Sequence, residues 1–141
     1  MRTAEVDIHR VCGSLIAQSN EGNSMSKHHV VTILPCGDIN ASVAFYRRLG
    51  FEVESDYGNY RILSDCKGWH LHLNEVKGWP ARIEDNPVGL YIYAEDVDAV
   101  AARVRDLIIE PGTPHLKPWG TYEFAVSDPS GTLVRIGRVA D

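Results

Sequence analysis

The stretch "KPWGTYEFAVSDPSGTLVR", residues 117–135, decides the fold. A Pro118-Trp119-Gly120 turn leads into an alternating run, and Asp128-Pro129-Ser130-Gly131 turns the chain into a second run, the punctuation of a hairpin. The same pattern is written earlier in the chain. "YGNYRILSDCKGWHLHLNEV" (57–76) lines up with "WGTYEFAVSDPSGTLVRIGRV" (119–139), with Tyr57-Gly58 answering Trp119-Gly120 and Tyr60 answering Tyr122. The offset is 62 at the start and 63 from Gly68 and Gly131 onward, after one inserted residue.

Upstream of each copy lies a helix with the same layout. "GDINASVAFYRRLGFE" (37–52) matches "EDVDAVAARVRDLIIE" (95–110) at an offset of 58. Asp38 and Asp96 are good N-caps, apolar residues follow one and five positions later, and Leu49 and Leu107 close the pattern at eleven. Gly50 stops the first helix. Before it, "VVTIL" is a short buried-type strand ended by Pro35 and Gly37. After it, "FEVES", "YRILS" and "WHLHLNEV" read as three strands joined by turns at Gly58 and Gly68. Two copies are too few for a solenoid. The expected fold is α+β, two paired βαβββ modules curling into one half-open barrel with the helices outside.

The organisation expected is a single domain over 28–141: module one at 29–76, a linker at 77–87 and module two at 88–139. Residues 1–27 stand apart, with the Ser/Asn/Gly-rich "SNEGNSMSK" and an internal Met25. Three readings of this arm are open: a frayed end, a strand lent to a partner, or a start codon called too early.

The chain has 141 residues, 44% hydrophobic and 23% charged, an ordinary globular balance. No apolar run nears the ~18 residues that span a bilayer, and Glu5, Asp7 and Arg10 break any signal-peptide pattern. The formal net charge is −5 and Lys and Arg are not clustered, which excludes nucleic acid and anionic membranes as partners. Three cysteines (Cys12, Cys36 and Cys66) with no Cys-x-x-Cys pair argue against a disulfide framework and a thiolate zinc site. The expected compartment is the cytoplasm.

Strand parity assigns faces. His70, His72, Asn74, Leu133, Arg135 and Gly137 fall on one side, with Ile33, Tyr91 and Tyr93 from the first strands. Leu71, Leu73, Leu90, Ile92, Val134 and Ile136 form the other, uniformly aliphatic and suited to the helices. A face holding two Tyr, two His, an Asn and an Arg is not an economical core.

The markers "GDINASVAFYRRLGF", "EDVDAVAARV" and "DPSGTLVRI" resemble the vicinal oxygen chelate superfamily of glyoxalases, extradiol dioxygenases, fosfomycin-modifying enzymes and bleomycin resistance proteins. The resemblance covers about residues 29 to 139. "KPWGTYEFAVSDPSGTLVRI" is most similar to the bleomycin resistance branch. The resemblance implies, for members that do chemistry, one divalent metal held by the first and last strands of each module. Carried over position by position, the ligands fall on Val31 and His72 in module one and Gly89 and Arg135 in module two. One donor of four remains, because valine and glycine cannot coordinate and a guanidinium repels a cation.

A rearranged site using His29, His70 and His72 is conceivable, but the plainer reading, polar residues lining a wet cavity, is adopted. No metal, cofactor or catalytic residue is therefore expected. The resemblance implies a homodimer with two grooves that binds a small molecule, a bleomycin-type antibiotic or another planar cation.

The groove residues expected are Trp119 and Gly120 of the Pro-Trp-Gly turn, Tyr60, Tyr91, Tyr93, Trp79 from the linker, His72, Asn74 and Arg135. For Trp119 the plain alternative is a loop Trp plugging the core edge; the resemblance favours the groove. Glu54, Asp56 and Glu75 could hold a cation, with a solvated surface role as the plainer reading. The rival functions are a metal-dependent lyase, isomerase or thiol transferase with a non-standard metal set, and a binding domain for another metabolite.

Overall fold

A computed structural model describes residues 4–5 and 28–141. Apart from Ala4–Glu5, the readings of the arm at 1–27 lie outside the described residues.

Asp38 starts the first helix, α1 (Ile39–Leu49), with its carboxylate accepting from Ala41 N at 3.2 Å. Gly50 ends it in the left-handed region at φ 117°. Ile39, Val43, Phe45, Tyr46 and Leu49 make its buried stripe. With β1 (Ala4–Glu5), the strands β2 (Ile33–Cys36), β3 (Glu52–Asp56), β4 (Tyr60–Ser64) and β5 (His70–Glu75) form one sheet in the order β1-β3-β4-β5-β2. Strand β1 pairs antiparallel with β3, and β2 runs parallel to β5. Leu34, Cys36, Leu63, Leu71 and Leu73 form the aliphatic face with Tyr46, Leu49 and Phe51, all nearly free of solvent.

The second copy comprises β6 (Gly89–Tyr93), α2 (Val97–Arg103), β7 (His115–Leu116), β8 (Thr121–Ser127) and β9 (Leu133–Val139). Its sheet order β6-β9-β8-β7, with β6 parallel to β9, reproduces the arrangement β2-β5-β4-β3. The fold is thus α+β with two βαβββ modules. The chain divides between Lys77 and Gly78 into two compact units, one holding each module. Among the described residues no helix is long and apolar enough to cross a membrane.

Several details differ from the sequence reading. Helix α2 ends at Arg103 and relaxes into a 3-10 turn at Arg105–Leu107. Its stop position holds Ile108 where the first copy has Gly50, and Ile108 leaves in an extended conformation (φ −66°) to bridge Val126. The strand after α2 shrinks to two residues, since Pro111 and Pro114 bring no backbone N–H to a ladder. Val31 precedes β2 rather than lying in it. Cys66 is disulfide-bonded, its partner lying outside the described residues, and Cys36 is a free, buried thiol. The sequence argument against a disulfide framework did not anticipate this single bond.

The repeat also carries its extra residue elsewhere. Asp56 faces Arg61 across the β3–β4 turn, whereas Leu116 faces Tyr122 across a β7–β8 turn one residue longer. Tyr60 stands opposite Asn74, Ile62 opposite His72 and Ser64 opposite His70. In module two the equivalent pairs are Glu123 with Gly137, Ala125 with Arg135 and Ser127 with Leu133, at a constant offset of 63. Tyr60 therefore corresponds to Glu123, not to Tyr122. Tyr122 lies on the helix side, donating to Asp98 Oδ1 at 2.6 Å with Arg138 5.2 Å from its ring centre.

Candidate functional site

The polar face of module two is organised by a residue that the sequence reading did not single out. Glu123, in the middle of β8, is fully buried. Its Oε1 accepts from Tyr91 Oη at 2.9 Å and Trp119 Nε1 at 3.5 Å, and from the Thr121 hydroxyl; its Oε2 accepts from Arg135 Nη1 at 3.0 Å. Burial raises the carboxyl's pKa, but the four donors outweigh it and hold Glu123 below the usual carboxylate range. The carboxylate is a fixed negative charge with both oxygens engaged.

Each neighbour is placed by the sheet. Tyr91 stands opposite Arg135 on β9, and Tyr93 opposite Gly137. The Tyr91 and Tyr93 rings lie 4.7 Å apart at 43°. Burial, followed by its bond to Glu123, keeps the Tyr91 phenol protonated above its ordinary range. Gly137 is required here: a Cβ would come within 2.6 Å of both the Glu123 Cβ and Tyr91 Oη.

Trp119 sits in the β7–β8 turn, where Gly120 at φ +95° donates back to Lys117 O at 3.0 Å. Lys117 Nζ lies 5.8 Å from the indole centre and also pairs with Glu110. Held by Lys117 on its ring and by Glu123 at its nitrogen, the indole is still 64% exposed, as is Tyr93. This is not a Trp plugging the core edge.

Module one brings together Tyr60, His72 and Asn74 on the polar side of β4 and β5. Tyr60 Oη meets His72 Nδ1 at 2.7 Å, with the rings edge to face at 5.5 Å. Burial pushes His72 below the ordinary imidazole range. His70 is lowered by burial and by the neighbouring His29 and His72, against an opposing pull from Asp65. Both shifts favour the neutral imidazole. His29 and His70 are ring neighbours at 5.4 Å.

Trp79 joins neither group. It is half-buried in the segment before β6, and its Nε1 is buried without a partner.

The acidic candidates have other duties. Asp56 accepts from Gly58 N at 2.8 Å and pairs with Arg61 at 3.2 Å, while Glu75 accepts from Ile39 N at 2.9 Å at the start of α1. Glu54 is not solvated: it sits at the register shift between Val53 and Ser55, 6% exposed, with Oε1 unpartnered. Burial raises its carboxyl's pKa, and the Ser64 hydroxyl partly offsets this.

The positions corresponding to the superfamily's metal ligands do not fit a metal. Arg135 is cationic and bound to Glu123, Val31 and Gly89 have no donor atom, and His72, with Nδ1 engaged by Tyr60, leaves Nε2 as the one donor of the four positions. Among the described residues no group of three His, Cys, Asp or Glu side chains is placed to hold an ion.

Residues 27–136 match the family model described as the Glyoxalase/Bleomycin resistance protein/Dioxygenase superfamily. No curated protein sequence matches the chain. Among solved structures, a bleomycin-binding protein complexed with bleomycin is 23% identical, with a TM-score of 0.68, and covers 79% of this chain and 98% of its own. A bleomycin resistance determinant encoded on the transposon Tn5 gives 21% identity, TM-score 0.69 and coverage of 80% and 98%. A bleomycin-binding protein from bleomycin-producing Streptomyces verticillus, complexed with copper(II)-bleomycin, gives 25% identity, TM-score 0.61 and coverage of 82% and 97%.

Proposed function

Because the chain belongs to the glyoxalase/bleomycin resistance protein/dioxygenase superfamily, we propose that it is a metal-free binding protein that sequesters a planar, cationic antibiotic of the bleomycin type. The carrying observation is the Glu123–Arg135 pair: a position where a metal-using relative needs a free donor holds a guanidinium already bound to a buried carboxylate. Such a face does no Lewis-acid chemistry, but it can hold a flat molecule. On module two, Tyr93 and Trp119 offer exposed rings for stacking and Tyr91 adds a polar contact; on module one, Tyr60, His72 and Asn74 form a polar face of their own. Gly120 shapes the turn that carries the indole. Several structural neighbours are described as bleomycin- or antibiotic-binding proteins, which supports a binding role.

We take 28–141 as one domain and the working form as a homodimer, in which a partner covers edge strands and the exposed Leu116 and Val139. The compartment proposed is the cytoplasm; the Cys66 disulfide argues against it, and a thiol count on protein from cell extract tests the point.

The decisive experiment is a tryptophan-fluorescence titration with metal-free bleomycin, with and without a chelator, on protein whose metal content is measured. Saturation at one equivalent per chain, unchanged by chelator, supports the proposal. No saturable binding, or about one metal per chain whose removal abolishes binding, rejects it. Light scattering at micromolar concentration tests the dimer.

A further inference from the structure

A cationic ligand and an arginine on the binding wall look incompatible, and the geometry around Arg135 removes the conflict. Among the described residues Arg135 is bonded to Glu123 alone, and through one nitrogen, Nη1. A guanidinium carries five N–H donors in a planar fork. Its side chain is 36% exposed while Glu123 has no exposure at all, so the remaining donors are open to a ligand and the counter-charge is not. Tyr91 stands opposite Arg135 on the neighbouring strand, and Tyr93 and Trp119 present flat faces on the same module.

We infer that Arg135 is a ligand contact, and that the Arg135–Glu123 pair makes it a charge-compensated donor edge selecting a planar group with a neutral carbonyl acceptor, a carboxamide, over a carboxylate. This rests on the reading of module two's polar face as a ligand wall.

The physical reason is the sum of two charges. An unpaired arginine prefers an anion, because the Coulomb gain and bidentate hydrogen bonds act together. Here an anion docking on the fork would also face the Glu123 carboxylate across one guanidinium, in a site where that carboxylate has no water to screen it. Attraction and repulsion then largely cancel, while the anion still gives up hydration. A neutral carbonyl keeps the directional hydrogen bonds, meets little repulsion and loses less hydration. The same compensation lets a ligand carry a positive charge elsewhere without being pushed from the wall.

The test uses the full-length protein and two flat probes that differ in this one group, benzamide and benzoate, followed by NMR of the Trp indole and Arg Nε signals. The wild type is expected to bind benzamide at least about fivefold more tightly than benzoate. Arg135→Gln should lose that binding about tenfold. Arg135→Lys, which keeps the charge without the fork, should keep only part of it. Glu123→Gln releases the guanidinium's charge and should reverse the order in favour of benzoate. Benzoate binding as tightly as benzamide in the wild type, or Arg135→Gln leaving benzamide unaffected, overturns the inference.

Should Glu123→Gln not fold, the wild-type order and the losses of benzamide binding in Arg135→Gln and Arg135→Lys decide alone. Failure of bleomycin to bind would reject the proposed drug without touching the benzamide order, so the two results are separable.

Discussion

Tyr60–His72 in module one and Glu123–Arg135 in module two occupy equivalent places in their two sheets, 63 positions apart. Both cross from the third strand of a module to its last. One is a neutral hydrogen bond at 2.7 Å between half-buried rings, the other an ion pair at 3.0 Å with its carboxylate fully buried. Duplication has kept the backbone register and exchanged the chemistry. Pairing depends on backbone N–H and C=O groups that any side chain tolerates, whereas the polar face is set by a few side chains whose replacement leaves the ladder intact. The two faces should therefore differ in how much stability hangs on their central pair.

The sharpest break is to remove the outer partner on each side. Arg135→Leu leaves Glu123 as a buried anion with three donors in place of four. The cost expected is about 2–3 kcal/mol, under the ~3–5 for a fully buried pair because Arg135 is partly solvated. His72→Leu leaves only the Tyr60 hydroxyl without its partner, and about 1 kcal/mol is expected. Urea unfolding of the two variants measures both. Equal costs would mean that the buried carboxylate is no more demanding than the neutral pair.

Gly137 and Asn74 are also equivalents, each opposite the third-strand member of its pair. Gly137→Ala would push a methyl against Glu123 and Tyr91, and its Cβ would lie 2.9 Å from the Tyr122 carbonyl oxygen. A loss of about 2 kcal/mol is expected from overpacking. Asn74→Ala, on a half-exposed position, should stay within about 0.5 kcal/mol. A harmless Gly137→Ala in thermal unfolding would show that Tyr91 can leave Glu123 at little cost.

Much of this was legible in the sequence and one part was misleading. The caps at Asp38 and Asp96, the glycine stop of α1 and the aliphatic parity of Leu71, Leu73, Val134 and Ile136 dictate helices, strands and the helix-facing side. The polar assignments of Tyr91, Arg135 and Gly137 follow from the same alternation. Glu123 was missed because the identical letters Tyr60 and Tyr122 invite alignment, while the sheet places the extra residue in the preceding turn. A one-residue slip inverts every face of a strand. Counting outward from the Asp128–Gly131 turn instead puts Glu123 level with Gly137 and on the face of Arg135. The burial of Glu54 had no such signal, since it depends on a register shift within β3.

A third contrast concerns the turns that precede these strands. Trp119 and Tyr57 are sequence counterparts, but only Trp119 is held by both a carboxylate and an ammonium. Trp119→Ala should weaken binding of metal-free bleomycin by about 1–2 kcal/mol, the lower part of the ~1–3 range for aromatic stacking, because Lys117 already sits against the ring. Trp119→Phe should recover part of the loss and Tyr57→Ala should change nothing. Isothermal titration reads all three, and equal affinity for Trp119→Ala and wild type would move the groove off this turn.

The smallest effect separates the modules by pH. His72 and His70 have folded pKa values below the ordinary 6.5, so between those values and 6.5 the unfolded chain binds more protons than the folded one. Stability from module one is then fully present above about pH 6.5 and declines as pH falls through the folded values. Glu123 is likewise depressed, but from an ordinary 4.5, so its contribution is intact above that pH and lost only in stronger acid. Falling pH should therefore erode stability in two stages, a shallow one beginning near 6.5 and another beginning near 4.5. Since both rings are only half-buried, the first stage is expected to be under about 1 kcal/mol. Urea midpoints measured from pH 7.5 to 5 should fall in the wild type and much less in a His70→Asn, His72→Gln double variant, while Arg135→Leu should keep the first stage. If the double variant loses stability over that range as the wild type does, protonation of module one is not the cause, and the two faces do not differ in the way their central pairs imply.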